Sequence, residues 1–590
     1  MKASFISALR LFKKHIARFI TIIAIVVVSV GFMSGVGEVE PKIESTINNY
    51  YKSQNISDLY LKSKKQAGFS VDELAEIENT FGENNIMKLF TYEFKEKGKI
   101  TRVYSYDLNN DKINKAELLE GTLPENDNQV LVERKTKLYE SAEVGETVTI
   151  AGHEYVVSGV VKNPLLMHYV DEKSFLESGK KVSQVFYVNS SSLFMVNDVY
   201  VTFTDRTLFD SFNKEYEEKV DIAKQDILSK LGEENVSALS LFENYALYSY
   251  NSYGDKIGLI GIIFVVFFLL VTLLVVYSTM SRLLDEERSQ IACQKTLGYS
   301  SSKITGKYTF FVFIATVIGG IFAFAVGIGL TRLIYFAMRV HYDLPAFGNV
   351  LNVGYYFFTF GIILISTCLL TFITGMRIAD QKPVKLLLPK TAKTGKKVLI
   401  EKVPFVWNRL SFRYKSTFRN VFLFKSRFFM TVISIIGSSV LVLAGMGLYD
   451  CMSIYDGMES ITIVSVVVII FSAVLSALVI YNITNINVSE RTREIATLMV
   501  LGYHEKEVTG YIFREVYIMS FIGAILGIPF GIAFLEFVFD VLDIGTLSQI
   551  NWWTWILAPL LTMFFSFIAT LMLRRKITKI DMNASLKSIE

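Results

Sequence analysis

Eight runs of mostly apolar residues punctuate an otherwise polar chain, at 17–36, 257–280, 309–338, 353–376, 428–450, 459–484, 511–539 and 552–573. A helix needs about 20 such residues to cross a hydrocarbon core, so each run predicts one membrane-spanning helix. The third and seventh are long enough to tilt or to project past the bilayer. The polar stretch 37–256 alternates strand-like and helix-like patterns instead. Val71–Phe81 and 208–231 have helical spacing and 199–203 reads as a strand, which predicts a compact α+β lobe. Within it, Gly121, Gly145, Gly152 and Gly159 bound short β-rich runs at Thr147–Ile150 and 155–161, the pattern of a small antiparallel β unit.

Lys13, Lys14 and Arg18 stand at the head of the first run, as they would in a secretory signal. That run is longer than the usual apolar core of a signal and no A-x-A site follows, so a retained helix is expected. Of the 590 residues 51% are hydrophobic and 20% charged, a balance that makes lipid part of the solvent. The net charge of +4 is too small to suggest a nucleic-acid partner, and the placement of the cations matters more. Lys2, Arg10, Lys13, Lys14 and Arg18 crowd the amino terminus, further cations fill 377–427, and Arg574, Arg575, Lys576 and Lys579 end the last run. Loops 451–458 and 540–551 contain no Lys or Arg. The positive-inside rule then predicts both termini in the cytoplasm and 37–256 outside, with Trp552, Trp553 and Trp555 in an outer aromatic belt. Cys293, Cys368 and Cys451 make no disulfide framework.

The chain repeats itself. Glu286, Ile291, Ala292, Leu297, Gly298, Tyr299, Thr305, Gly306, Gly319 and Gly327 recur at a constant shift of 204 as Glu490, Ile495, Ala496, Leu501, Gly502, Tyr503, Thr509, Gly510, Gly523 and Gly531. Upstream, Thr21, Ile23, Gly35 and Gly37 match Thr431, Ile433, Gly445 and Gly447 at a shift of 410. The shifts differ because the first copy carries the polar lobe between its first two helices. Each unit therefore has four helices, and units of even number must lie parallel, related by an axis along the membrane normal. The expected organisation is 1–36 as interfacial and first membrane helix, 37–256 as the outer domain, 257–380 as the remainder of the first repeat, 381–427 as a linker and 428–590 as the second repeat. Gly319, Ala323 and Gly327, like Gly523, Gly527 and Gly531, are spaced by four and line one helix face that allows close approach, either as ordinary packing or as a sliding seam.

The polar loops 282–307 and 491–507 carry the most information. Each has charges, then an apolar stripe, then Leu-Gly-Tyr, which predicts a short amphipathic helix stopped by glycine. Such a helix can rest in the membrane interface or grip a partner; one per half fits a two-copy partner. These segments, ERTREIATLMVLGY and EERSQIACQKTLGY, each before a glycine-rich membrane helix, resemble the signature of FtsX-like and MacB-like ABC transporter permeases. Glu494, Ile495, Leu501 and Gly502 match the family pattern, whereas Gln290 stands where the family usually has an acidic residue. PVKLL at Pro383–Leu387 and NASLK at 583–587 resemble the family's closing segment, the second without its proline. Residues 118–165 resemble the outer core domain of MacB-like permeases.

The resemblance implies a bacterial cell-membrane permease whose two coupling helices contact two copies of a cytoplasmic ABC ATPase. The coupling residues would be Glu286, Gln290, Ile291, Leu297, Gly298 and Tyr299 in the first loop, and Glu490, Glu494, Ile495, Leu501, Gly502 and Tyr503 in the second. ATP and magnesium would belong to the partner, since the chain lacks G-x-x-x-x-G-K-[ST] and the nearest match, Thr394, Gly395, Lys396 and Lys397, lacks the first glycine and the hydroxyl. No catalytic residue and no metal site are expected: His153 and His168 are the only histidines of the outer domain and neither has a second ligand at zinc spacing. Tyr245, Tyr248, Tyr250 and Tyr253 read as membrane-boundary anchors or as a lipid or peptide platform. The functional expectation is a non-catalytic subunit that moves its outer domain to export or remove a peptide, drug or lipid-linked substrate, with membrane lipid and an extracytoplasmic protein or peptide as further partners. The competing class is a signalling protein that drives a cell-wall hydrolase or sensor kinase. A secondary transporter fits less well, given the parallel repeat and the lack of charges near helix midplanes.

Overall fold

The computed structural model describes all residues except 1–9, 97, 109–111, 168–171, 191–192, 194, 340–342, 344, 347–352, 388–400, 402–403, 410, 424, 456–458 and 579–590. Eight helices among the described residues are long and apolar enough to cross a membrane, one for each apolar run, and the chain is a multi-pass membrane protein. The chain divides into a helical unit and a second unit made of 40–255 and 335–349.

In the helical unit, the first repeat comprises α1 (Ile16–Gly37, followed directly by α2, Val39–Ser53), α5 (Tyr245–Glu286), α7 (Ser301–Met338) and α8 (Val353–Ala379). The second comprises α12 (Lys425–Met452), α13 (Glu459–Glu490), α15 (Glu505–Leu542) and α16 (Thr554–Thr578). Lipid is as apolar as leucine, so helices in a bilayer associate where small side chains let backbones approach. The spaced glycines do this in both repeats, and at the same place. A Cβ on Gly319 would come within 2.8 Å of Val26, and Gly327 faces Ser34, which seats α7 on α1. Ala323 between them is fully buried. A Cβ on Gly523 would come within 2.7 Å of Ile435, on Gly527 within 2.8 Å of Ser439 and on Gly531 within 2.5 Å of Leu443, which seats α15 on α12.

The repeats meet along α5 and α13. There the contact is polar: Asn482 Nδ2 donates to Thr279 Oγ1 at 2.7 Å, and Arg282 donates to Asn487 Oδ1 at 2.8 Å and to Thr431 Oγ1 at 3.1 Å. Phe32 of α1 stacks on Phe268 and meets Phe471 at 5.5 Å, adding an aromatic layer.

The second unit is built on a ten-stranded sheet ordered β10-β1-β9-β2-β3-β8-β5-β7-β4, with β6 paired to β7. The strands are β1 (Leu59–Ser63), β2 (Ile86–Glu96), β3 (Lys99–Tyr106), β4 (Glu117–Gly121), β5 (Gln129–Glu133), β6 (Thr147–Ile150), β7 (His153–Lys162), β8 (Val182–Asn189), β9 (Asp198–Val201) and β10 (Val236–Ser240). Helix α3 (Val71–Phe81) forms as expected, with Ser70 and Glu73 closing a capping box. Two local expectations change. The helix placed at 208–231 starts only at Lys214 (α4, Lys214–Leu231), because Asn213 caps it through Glu215 N–H at 2.8 Å while Phe209 is pulled into the core. The short β runs pair antiparallel as expected, Thr147–Ile150 with 153–156, but within the larger sheet rather than as a unit of their own, since β5 joins the other edge of β7 in parallel. Asp343, from the later part of the chain, also belongs to this unit, where it pairs with Arg134 and lies 3.6 Å from Lys162.

The glycine seams give a direct test. Gly319→Leu and Gly523→Leu should each lower the thermal stability of the full chain in detergent by about 1–3 kcal/mol through overpacking. Gly329→Leu and Gly361→Leu, where a Cβ meets nothing within 4 Å, should change it little. Equal effects at all four positions would remove the seams from the account.

Candidate functional site

The two loops between second and third helices fold alike. Each holds a short helix, α6 (Arg288–Thr296) and α14 (Thr492–Val500). Each ends in a residue with positive φ, Gly298 at +86° and Gly502 at +91°. The bond pattern is the same in both: Gly298 N–H donates to Lys295 O and Tyr299 N–H to Gln294 O, both at 3.1 Å; Gly502 N–H donates to Met499 O and Tyr503 N–H to Leu498 O, both at 3.1 Å. This paired arrangement satisfies the last helix carbonyls and needs a left-handed residue after the helix, which glycine takes without strain.

The apolar stripe turns inward. Ile291 and Ala292 are fully buried against Leu284, Tyr308 and Leu386, and Ile495 and Ala496 are fully buried, Ile495 with Val488, Val508 and Ile512. Ile291 and Ile495 thus hold each short helix to its own repeat, which departs from the expectation that they present an apolar contact to a partner. The chain's own helices supply the nearer groove. What stands out from each loop is the turn that follows: Leu297 is 76% exposed and Leu501 69%, with Tyr299 and Tyr503 about half exposed beside them. Gln290 and Glu494 are exposed as well, while the Glu490 side chain lies outside the described residues.

The loops are braced by different ion pairs, whose partners the repeat pattern does not name. Glu287 accepts from Lys14 Nζ at 2.7 Å and lies 3.1 Å from His15 Nε2, and Arg18 pairs with Glu286. The segment before α1 therefore clasps the first loop. Position 287 shifted by 204 is Arg491, a change of sign, and Arg491 donates to Glu515 at 2.6 Å inside its own repeat. Burial acts to raise the Glu287 carboxyl, but the hydrogen bonds from His15 and Lys14 outweigh it and bring it down to about 2. The signal for these braces was the charge reversal at matched positions, Glu287 against Arg491; their partners lie too far away in sequence to be paired by eye.

Leu386, in the closing segment α9 (Pro383–Leu387), is buried beside α6, and Arg288 donates to Lys385 O at 3.1 Å. The matching 583–587, like 394–397 and His168, lies outside the described residues. Of the four boundary tyrosines, Tyr250 is buried and donates to Met167 O, Tyr248 is exposed, and the side chains of Tyr245 and Tyr253 are outside the description. Among the described residues no group of three or more His, Cys, Asp or Glu is arranged to hold a metal ion.

Residues 262–383 and 466–582 each match the model of the FtsX-like permease C-terminal domain. Each match takes in three membrane helices and the short loop helix of one repeat. No curated protein matches the sequence.

The clasp on the first loop predicts a pH dependence. The carboxyl of Glu287 is lowered in the folded protein, so the stability it contributes is present above its ordinary value of 4.5 and is lost as pH falls toward about 2. Glu287→Gln should cost the full chain on the order of 2 kcal/mol near neutrality, the scale of a charge-assisted bond, and the difference from wild type should shrink below pH 4.5. A difference that widens on acidification would contradict the assignment.

Proposed function

Because both repeats of this chain are FtsX-like permease domains, a family whose members pair with cytoplasmic ABC ATPases, we propose that the protein is the membrane-spanning subunit of an ABC transporter. It supplies both halves of the transmembrane assembly, and each loop receives one ATPase copy on the cytoplasmic side. The cation-rich termini and 377–427 are cytoplasmic in this reading, and the β-rich unit is outside. What supports it is the matched pair of turns: two apolar residues, Leu297 and Leu501, are exposed at the same place in each repeat, each followed by a glycine of positive φ, Gly298 and Gly502. An exposed leucine on a rigid turn, flanked by tyrosine, suits a groove in a partner.

Nucleotide binding by the paired ATPases draws the two turns together. In this reading the work is delivered to the β-rich unit, in export or removal of a peptide, drug or lipid-linked substrate. ATP and magnesium are held by the partner, and this chain does no chemistry.

Leu297→Asp and Leu501→Asp should each weaken capture of the ATPase by tenfold or so, and the double variant should abolish it, since an aspartate cannot be desolvated in the groove without a partner. The permease should insert and melt as wild type does. Ile495→Asp is expected to behave differently, destabilising the permease itself, because its site is interior to the repeat. Full ATPase capture by the double variant would overturn the reading.

A further inference from the structure

A cleft of about 1250 Å³ opens between α14, α15 and α16 in the second repeat, with Ser416 of the helix Phe412–Leu423 on its lining and Tyr414 of that helix 5.8 Å from the Arg514 guanidinium. Its two long helices are joined by Tyr517 Oη with Thr570 Oγ1 at 2.6 Å and by Ser520 Oγ with Ser566 Oγ at 2.8 Å. Across these bonds α15 and α16 run antiparallel, since the residue number rises on one as it falls on the other. One turn from the Tyr517–Thr570 bond toward the start of α15 stand Arg514 on α15 and Arg574 on α16, both lining the cleft. At 1.5 Å per residue both lie roughly 5 Å past that bond along their helices, so the two guanidinium groups share a level. Arg514 Nε donates to Gly510 O at 2.8 Å, which orients its fork.

Away from the level of the two arginines the lining turns apolar. Phe567 and Leu571 are exposed and continue a stripe with Leu560 and Phe564 along α16, the face of a membrane-crossing helix that meets lipid. The two acidic groups of the cleft lie at its rim and are engaged: Glu507 accepts from His504 N–H at 3.2 Å, two turns beyond Arg514, and Glu494 lies 3.9 Å from Arg491. In the first repeat the position matching Arg514 is Phe310, with Phe12 packed against it at 6.4 Å, so the cation is not repeated there.

We propose that this cleft binds an anionic phospholipid, with the phosphate between Arg514 and Arg574 and an acyl chain along Phe567 and Leu571. Two cations at one level with an apolar groove leading away in the membrane direction match the charge and the polarity of such a lipid at the bilayer boundary. The apolar half of the cleft is continuous with the lipid-facing surface of α16, so the ligand enters sideways from the bilayer. A bound lipid would sit beside α14, whose residues Thr497 and Leu498 also line the cleft.

The test uses the purified full chain in detergent with equal amounts of phosphatidylglycerol and phosphatidylcholine of the same acyl length, read by native mass spectrometry. Wild type should retain phosphatidylglycerol preferentially, and Arg514→Gln and Arg574→Gln should each reduce that preference by roughly fivefold, as expected for one basic residue at a membrane surface. Arg332→Gln, on α7 of the first repeat, should leave it unchanged. A photoreactive phosphatidylglycerol should label peptides containing Phe567 or Tyr517, a readout that holds even if a variant folds poorly. Equal retention of the two lipids by wild type, unchanged preference in the double variant, or labelling confined to other helices would overturn the proposal. So would displacement of the lipid by excess inorganic phosphate, which would mark a free-anion site.

Discussion

Close backbone approach between the first and third helices of each repeat is the constraint on which the rest depends. In a bilayer no hydrophobic force draws apolar helices together, so contact needs surfaces that fit. Gly319, Ala323 and Gly327 on α7, and Gly523, Gly527 and Gly531 on α15, supply those surfaces twice. Once α7 and α15 are seated, the start of each is fixed, and with it the loop that precedes it. The Leu-Gly-Tyr turns inherit their positions from glycines packed between helices.

The loops then divide their residues between two tasks. Ile291 and Ile495 face inward and tie each short helix to the bundle, while Leu297 and Leu501 are carried outward by the left-handed glycine that follows them. The same fold is braced by opposite charges, Glu287 held by Lys14 and His15 at the head of α1, and Arg491 held by Glu515 on α15. The first loop is thus tied to the start of α1 and Arg491 of the second to α15, so the two halves are similar in shape and differently braced. The polar contact of Arg282 with Asn487 and Thr431 adds a directional link between the repeats, where apolar packing alone would leave their register loosely defined.

The membrane helices were legible because hydrocarbon thickness imposes a length on apolar runs. Their ends were not: α7 begins at Ser301 and α15 at Glu505, before the apolar runs at 309 and 511, since hydropathy marks the lipid-crossing part of a helix and not its caps. The glycine spacing showed which face packs closely, and the repeat showed that it does so twice. Helical spacing also revealed the stripe of Ile495, Leu498 and Met499, but periodicity says only that a face is apolar; that α14 turns it onto its own repeat follows from which groove is nearer. The glycine-bounded runs at 147–150 and 155–161 identified two strands that do pair antiparallel, but not the parallel neighbour at 129–133, because a period of two is the same in either direction and a distant partner leaves no local mark.

The central claim is that one chain provides two equivalent docking positions for a nucleotide-hydrolysing partner. The mass of the intact complex, purified in detergent with its ATPase and measured under native conditions, tests this most directly. One permease chain with two ATPase copies is the predicted composition; a stable complex of one permease chain with a single ATPase copy, saturated at excess partner, would contradict it.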